Sequence, residues 1–447
     1  MYIRKVTIKN VRSIQKFEMT FPEGNEAGWH VIIGDNGSGK TTALRVVVST
    51  LFECLTDVWE RLKNDQSSKF FKYEIPVNIF DVVGKLKYDD ISKIRLVNVD
   101  FSNGSESIGA GLEFKVDELG TNFASKIEGV NALPIRREIF NTGIFLAFGP
   151  YRSITSYGSK WDEILINQPE VKRVINLFYD DATFYETGAW LRDMEFIRKS
   201  EEITFLKGGG KSDGDDYYGG TIGKFLQMIY KLLNFTGLLP YNVKVIGFKD
   251  GDKLLLKDGN NKEVTIFEMS AGYRSVLALV FEIIRHMIDQ FGVDAVLKDN
   301  QDFIDCEGVV LIDEIDAHLH PTWQTRIGQW FTKYFPKLQF IVTTHSPLIC
   351  RACEKGSIWR LAAPGSEIPS GEIKAEERDR LIYGDILDAY GTDLFGVNIE
   401  RTQESAELLK EYARLDRLYT FGQITAEQDE KRKRLQQIFS NNVEADF

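Results

Sequence analysis

Gly34-Asp35-Asn36-Gly37-Ser38-Gly39-Lys40-Thr41 decides the reading of this chain. It follows Trp29-His30-Val31-Ile32-Ile33, which reads as a strand buried on both faces, and it opens a segment with helical periodicity from about Lys40 to Leu55. The eight residues match GxxxxGK[ST] without a mismatch, and strand before and helix after are the context that motif requires. Its glycines let the backbone turn so that successive N–H groups face inward, and the helix N-terminus adds partial positive charge. Lys40 is placed to reach the β- and γ-phosphates of a nucleotide. Thr41 is placed to ligate Mg²⁺, with Thr42 beside it.

A second stretch completes the chemistry. Gly308-Val309-Val310-Leu311-Ile312 is an apolar strand that delivers Asp313 and Glu314 at its C-terminal edge, where open α/β sheets bind ligands. Asp313 is the candidate Mg²⁺ partner. Glu314 is the candidate base for an attacking water. Together the two motifs imply an enzyme that binds a nucleoside triphosphate with Mg²⁺ and hydrolyses it, without saying which kind.

The rest of the chain sets bounds. Its 447 residues are enough for two or three domains, and 43% hydrophobic with 27% charged residues is ordinary for a globular protein. No apolar run is long enough to cross a membrane, and Met1-Tyr2-Ile3-Arg4-Lys5-Val6 alternates like a strand rather than a signal peptide. The net charge of -11 argues against a generally basic protein that coats nucleic acid, although a local basic groove stays open. Cys54, Cys306, Cys350 and Cys353 form no disulfide framework; buried or incidental thiols in a reducing cytoplasm are the expectation, including for the lone Cys350/Cys353 pair.

Periodicity divides the chain into four expected regions. Residues 1–150 hold the phosphate loop with an antiparallel β insertion, in which Ile94–Phe101 and Gly111–Val116 read as strands with a turn at Asn103-Gly104. Residues 151–263 read as a helical insert: Glu163–Phe178, Phe184–Lys199 and Ile222–Phe235 are expected helices, and Lys207–Asp216 a mobile glycine-rich loop. Asp250-Gly251 joins two short strands, and Glu263–Phe267 is a third. Residues 264–400 form the next region, in which helix and buried strand alternate to about residue 355, as a parallel sheet requires. Residues 401–447 read as a helical hairpin around Gly422, with Thr425 and Gln428 at capping-box spacing.

Three further segments narrow the kind of nucleotide enzyme. Met269-Ser270-Ala271-Gly272-Tyr273-Arg274 precedes a strong helix; alone, Ser270 would read as that helix's N-cap. Asp316-Ala317-His318-Leu319-His320-Pro321 follows the acidic pair, and its H-x-H is too sparse for a metal site. Phe340-Ile341-Val342-Thr343-Thr344-His345 is another buried strand, ending in histidine. In this order the motifs resemble the ABC-type ATPases of the RecF, SMC and OLD group. The resemblance covers residues 1–55 and about 264–350. The wording of Asp313–Pro321 and Thr343–Pro347 is most similar to the stand-alone ATPases of bacterial anti-phage defence systems, such as the Septu ATPase PtuA and its retron-linked versions.

The resemblance implies ATP as the nucleotide and an ABC-type head: an α/β fold with a mostly parallel core sheet, an antiparallel β subdomain and an inserted helical subdomain. It implies that Ser270 and Gly272, matching the Ser and second Gly of the LSGGQ signature, close on the γ-phosphate held by another subunit. Ala271 and Tyr273 depart from that signature. Asp316 falls in the D-loop along the dimer seam, and His345 at the switch histidine. Arg12, in Lys9-Asn10-Val11-Arg12-Ser13, resembles an early Asn-Phe-Arg segment that approaches the nucleotide. One departure is plain: the strand ending Phe148-Gly149-Pro150-Tyr151-Arg152 has no Q-loop glutamine. The implied assembly is a homodimer, or a larger oligomer built from dimers. Its expected role is regulation of a separate effector, a nuclease first of all. A RecF-like DNA-repair ATPase that binds DNA directly is the alternative, and a transporter subunit is the weakest reading. No membrane partner is expected.

Overall fold

The computed structural model describes residues 1–53, 95–103, 106–116, 122–126, 143–155, 158–164, 169–209, 220–249, 253–296, 298, 302–384, 403–420 and 423–439. Expectations for Cys54, the Gly104 turn, residues 210–216 of the glycine-rich loop, Asp250-Gly251 and Gly422 lie outside them. The chain divides into two compact units, Met1–Gly384 and Asp385–Phe447.

In the first unit, β3 (Gly28–Ile33) is buried at every residue. It lies in a six-stranded sheet with β7 (Ile144–Phe148), β11 (Gly308–Ile312), β12 (Leu338–Thr344), β13 (Gly356–Arg360) and β14 (Gly371–Ile373). The order is β14-β13-β3-β12-β11-β7, and only the edge strand β14 runs antiparallel. β7, β11 and β12 are also buried along their whole length, as apolar strands covered on both faces should be.

A second sheet is antiparallel: β1 (Tyr2–Val11), β2 (Ile14–Thr20), β4 (Arg95–Asn103), β5 (Glu106–Val116) and β6 (Asn122–Lys126), in the order β2-β1-β4-β5-β6. Between the two sheets runs α1 (Lys40–Glu53). Its Leu44, Val46, Val47 and Val48 share one apolar core with Val6, Ile8 and Phe17 of the antiparallel sheet and with Ile32, Leu311 and Ile341 of the parallel one. Truncating such a residue to alanine typically costs about 2–5 kcal/mol, so the helix that begins at the phosphate loop is held firmly at both faces.

The opposite face of the core sheet is covered by α4 (Ala271–Phe291) and α5 (Pro321–Tyr334). Trp29 of β3 stacks on Phe331 of α5 with ring centroids 6.1 Å apart. The helical segment between β7 and α4 contains α2 (Tyr185–Lys207) and α3 (Thr221–Phe235), then a three-stranded antiparallel sheet of β8 (Lys244–Lys249), β9 (Lys253–Lys257) and β10 (Glu263–Thr265).

The α/β class and the mostly parallel core sheet are as the sequence led us to expect. Three element expectations are corrected. The helix expected over Glu163–Phe178 is instead a series of short turns, Lys160–Ile164, Pro169–Lys172 and Ile175–Leu177. Pro169 has no N–H to donate and stands at the first position of its turn, where none is needed. The helix expected to end at Lys199 continues to Lys207. The strand expected to reach Phe267 ends at Thr265, where a capping box with Glu268 starts a short 3₁₀ turn.

The second unit is a hairpin of α7 (Gln403–Thr420) and α8 (Ala426–Phe439), numbered after α6 (Ala375–Tyr383) of the first unit. Thr425 and Gln428 form the expected capping box, exchanging backbone-to-side-chain bonds of 3.0 and 3.3 Å. Arg432 of α8 reaches Asp416 of α7 at 3.2 Å and lies over the Tyr419 ring.

Candidate active site

The register of the core sheet puts four chain segments at one edge. Ile312 pairs with both Phe148 and Val342, and Thr344 with Ile33. The loops leaving β3, β12, β11 and β7 at their C-terminal ends are therefore neighbours.

The loop after β3 is shaped by its glycines. A Cβ on Gly34 would lie 2.5 Å from the Leu361 carbonyl oxygen and 2.7 Å from Ser38 Oγ. Gly39 holds a φ of +105°, and a Cβ there would meet Ile14 and Ser13 Oγ at 2.8 Å. The same packing brings the β1–β2 turn, with exposed Arg12 at its tip, against the loop. Lys40 folds back over the loop and donates to the carbonyls of Gly34 (2.6 Å) and Asp35 (3.1 Å). Burial pushes its pKa down to about 8, against the pull of Asp313, Glu314, Asp316 and Asp35.

Thr41 and Asp313 lie 272 positions apart in sequence, and Thr41 Oγ1 donates to Asp313 Oδ2 at 2.7 Å. Thr343 Oγ1 donates to the other carboxylate oxygen at 2.5 Å and accepts the Glu314 N–H at 2.8 Å. The Asp313 N–H donates to the Phe148 carbonyl at 2.8 Å. Glu314 itself is half-buried and holds a φ of 44°. Asp316 accepts from Thr344 Oγ1 at 2.5 Å, and Ser346 Oγ donates to Gln324 at 2.6 Å, so the turns on both sides of His345 are latched to α5 and to the loop after β11. Burial, with the Lys40 cation, lowers the His345 pKa; the ring is neutral at neutral pH and can donate through one nitrogen and accept through the other.

The residues fit a magnesium nucleotide. Glycines stand where side chains would close the loop, Ser38 Oγ is buried there with no partner among the described residues, and a hydroxyl and a carboxylate converge from two elements as a hard cation requires. Lys40, Thr41, Asp313, Glu314, Asp316 and His345 are thus brought together. Ser270 takes no part in their hydrogen bonds. It is the exposed N-cap residue of α4 and makes no side-chain capping bond, while Gly272 packs so closely that a Cβ would lie 2.7 Å from the His318 carbonyl oxygen. His320 caps α5, its Nδ1 accepting from the Thr322 N–H. Cys350 and Cys353 are free, buried thiols.

A model of the family described as "AAA domain, putative AbiEii toxin, Type IV TA system" matches residues 30–351, a span that runs from β3 past His345. The chain belongs to this family of AAA ATPases. Among curated relatives of this AAA domain, "Retron Vc95 probable ATPase" of Vibrio cholerae is 27% identical over 78% of this chain and 71% of that protein. "Septu protein PtuA" of Bacillus mycoides is 25% identical over 80% of this chain, which spans 40% of that protein's length. "Retron Ec83 probable ATPase" of Escherichia coli is 41% identical over a shorter stretch, 24% of this chain and 19% of that one. Among solved structures, the SMC head domain from Thermotoga maritima aligns with 84% of this chain and 100% of that one, at 14% identity and a TM-score of 0.42. Among the described residues, no helix of the AAA chain is long and apolar enough to cross a membrane.

Two residues of this AAA site have no role that the sequence announces. Thr343 is one of two threonines in a buried strand, and only the strand order reveals that it holds both Asp313 and Glu314. Asn176 holds the segment after β7 by accepting the Gly149 N–H and donating to the carbonyls of Tyr151 and Ala182. Nothing in the local sequence marks either one.

Proposed function

We propose that this chain binds and hydrolyses ATP in a homodimer whose two sites each draw residues from both subunits, and that this cycle regulates a partner effector, a nuclease first of all, in bacterial anti-phage defence. The Thr41–Asp313 contact carries the catalytic half of the reading, because it joins the phosphate loop to the acidic strand end. The names of the retron and Septu relatives support the biological half.

The backbone N–H groups of residues 34–39 and the Lys40 ammonium hold the β- and γ-phosphates. Thr41 and Asp313 would hold Mg²⁺, which supplies charge neutralisation at the phosphate oxygens. Glu314 takes the proton of the attacking water, and neutral His345 hydrogen-bonds the transferring group. Ser270 and Gly272 of the second subunit complete the γ-phosphate shell, so dimer closure depends on that phosphate. Catalysis is then largely positioning and electrostatic stabilisation.

Two substitutions test the catalytic half. Lys40→Ala abolishes binding of a fluorescent ATP analogue. Glu314→Gln preserves binding, accumulates nucleotide-dependent dimers on size exclusion, and lowers kcat by about a hundredfold or more. Hydrolysis at the wild-type rate by the Glu314→Gln protein would remove Glu314 from the role of base. For the partner, the product of an adjacent gene should co-purify with this chain, and more so with the Glu314→Gln variant held in ATP.

A further inference from the structure

The segment after β7 has no Q-loop glutamine but carries Arg152, and the surroundings of Arg152 are specific. Its side chain is only 4% exposed. Nε donates to Ser275 Oγ in the second turn of α4 at 3.0 Å. Nη1 donates to the Asp313 carbonyl and Nη2 to the Glu314 carbonyl, each at 3.1 Å. One guanidinium thus bridges the helix that begins at Ser270 and the strand end that carries the catalytic carboxylates.

The peptide it grips needs gripping. Glu314 sits in the left-handed region at φ 44°, which a long L side chain holds only when its surroundings impose it. Thr343 Oγ1 takes the Glu314 N–H and Arg152 takes the Glu314 carbonyl, so both ends of the residue are fixed. The strap carrying Arg152 is anchored in turn by Asn176 through the Gly149 N–H (2.8 Å) and the Tyr151 carbonyl (2.9 Å). A planar fork of five donors suits three acceptors in different directions.

We propose that Arg152 is a positioning residue: it ties α4 to the Asp313–Glu314 peptides, so a displacement of the Ser270 turn by a closing partner is transmitted to the Glu314 carboxylate of the same chain. The inference rests on the ATPase reading above and goes beyond it, because it wires the turn that serves one nucleotide site to the base of the other. Burial lowers the Arg152 pKa to about 10, which leaves the guanidinium charged at neutral pH.

The test uses the full chain with Arg152→Lys, which keeps a buried cation but loses the fork, and Ser275→Ala, which cuts only the helix end of the bridge. Both variants should keep the thermal midpoint and the affinity for a fluorescent ATP analogue, while kcat falls by about tenfold to a hundredfold with KM little changed. The double variant should be no slower than Arg152→Lys alone, since both changes break one link. Wild-type kcat in either single variant would overturn the proposal. So would parallel losses of kcat, affinity and thermal midpoint, which indicate packing alone. A wild-type chain that binds the analogue but never hydrolyses ATP would overturn the ATPase reading, and this proposal with it.

Discussion

Lys40 is buried by the loop it serves, and that burial gives the site a pH dependence. Its ammonium must be charged to bind phosphate, and burial pushes its pKa down to about 8, against the pull of nearby carboxylates. A bound triphosphate favours the charged form and raises that pKa again. Affinity is therefore full below about pH 8 and declines as pH rises above it, by up to about tenfold per unit. Titrating a fluorescent ATP analogue across that range should show the decline, and a flat profile up to about pH 9.5 would contradict the stated environment of Lys40. Much of the site was legible at this scale because the residues between Gly34 and Thr41 are contiguous and act through their own backbone. Thr343, Asn176 and Arg152 were not assignable in the same way. Their roles arise from strands and turns that meet only in the folded chain, and hydrogen bonds between distant segments leave no spacing to read.

At the scale of elements, α4 is joined to α2 by a buried ionic cluster away from the nucleotide site. Glu282 and Arg285 of α4 bond at 2.7 Å, and Thr187 of α2 contributes its hydroxyl to both. Burial would push the Glu282 carboxyl up, but Arg285 and His286 hold it down to about 2, so it stays charged. Removing Arg285 strands a buried charge. Arg285→Ala should destabilise the fold by about 3–5 kcal/mol in thermal or urea denaturation, and a loss below about 1 kcal/mol would show the cluster to be unimportant. The elements plainest in the sequence are the unbroken apolar runs β3, β11 and β12, the periodic helix α3, and the Thr425 capping box, whose partners are neighbours in sequence. Helical spacing of apolar residues over Glu163–Phe178 hides the interruption at Arg173 and Val174, which no local residue type announces. The strands β13 and the edge strand β14 are short and carry glycine at their first positions, so no period could announce them; β13 pairs with β3 and β14 pairs with β13.

For the whole molecule, the sheet order β13-β3-β12-β11-β7 gathers every catalytic candidate at one edge, while Ser270 stands apart on the exposed start of a 21-residue helix. The mostly parallel core was readable from the alternation of helix and buried strand. The antiparallel sheet was readable only in part, because its pairing links β1 to β4 across a long stretch of chain. The proposed dimer, with each site shared, would account for a residue matched to the signature lying outside the cluster it should complete. Mixing two inactive proteins, Lys40→Ala and Ser270→Arg, tests this directly. A mixed dimer holds one site with an intact Lys40 loop from one subunit and an intact Ser270 turn from the other. The account predicts that each variant alone is inactive and that equal mixing restores ATP hydrolysis to about a quarter of the wild-type rate. A mixture as inactive as its components, with mixed dimers shown to form, would contradict it.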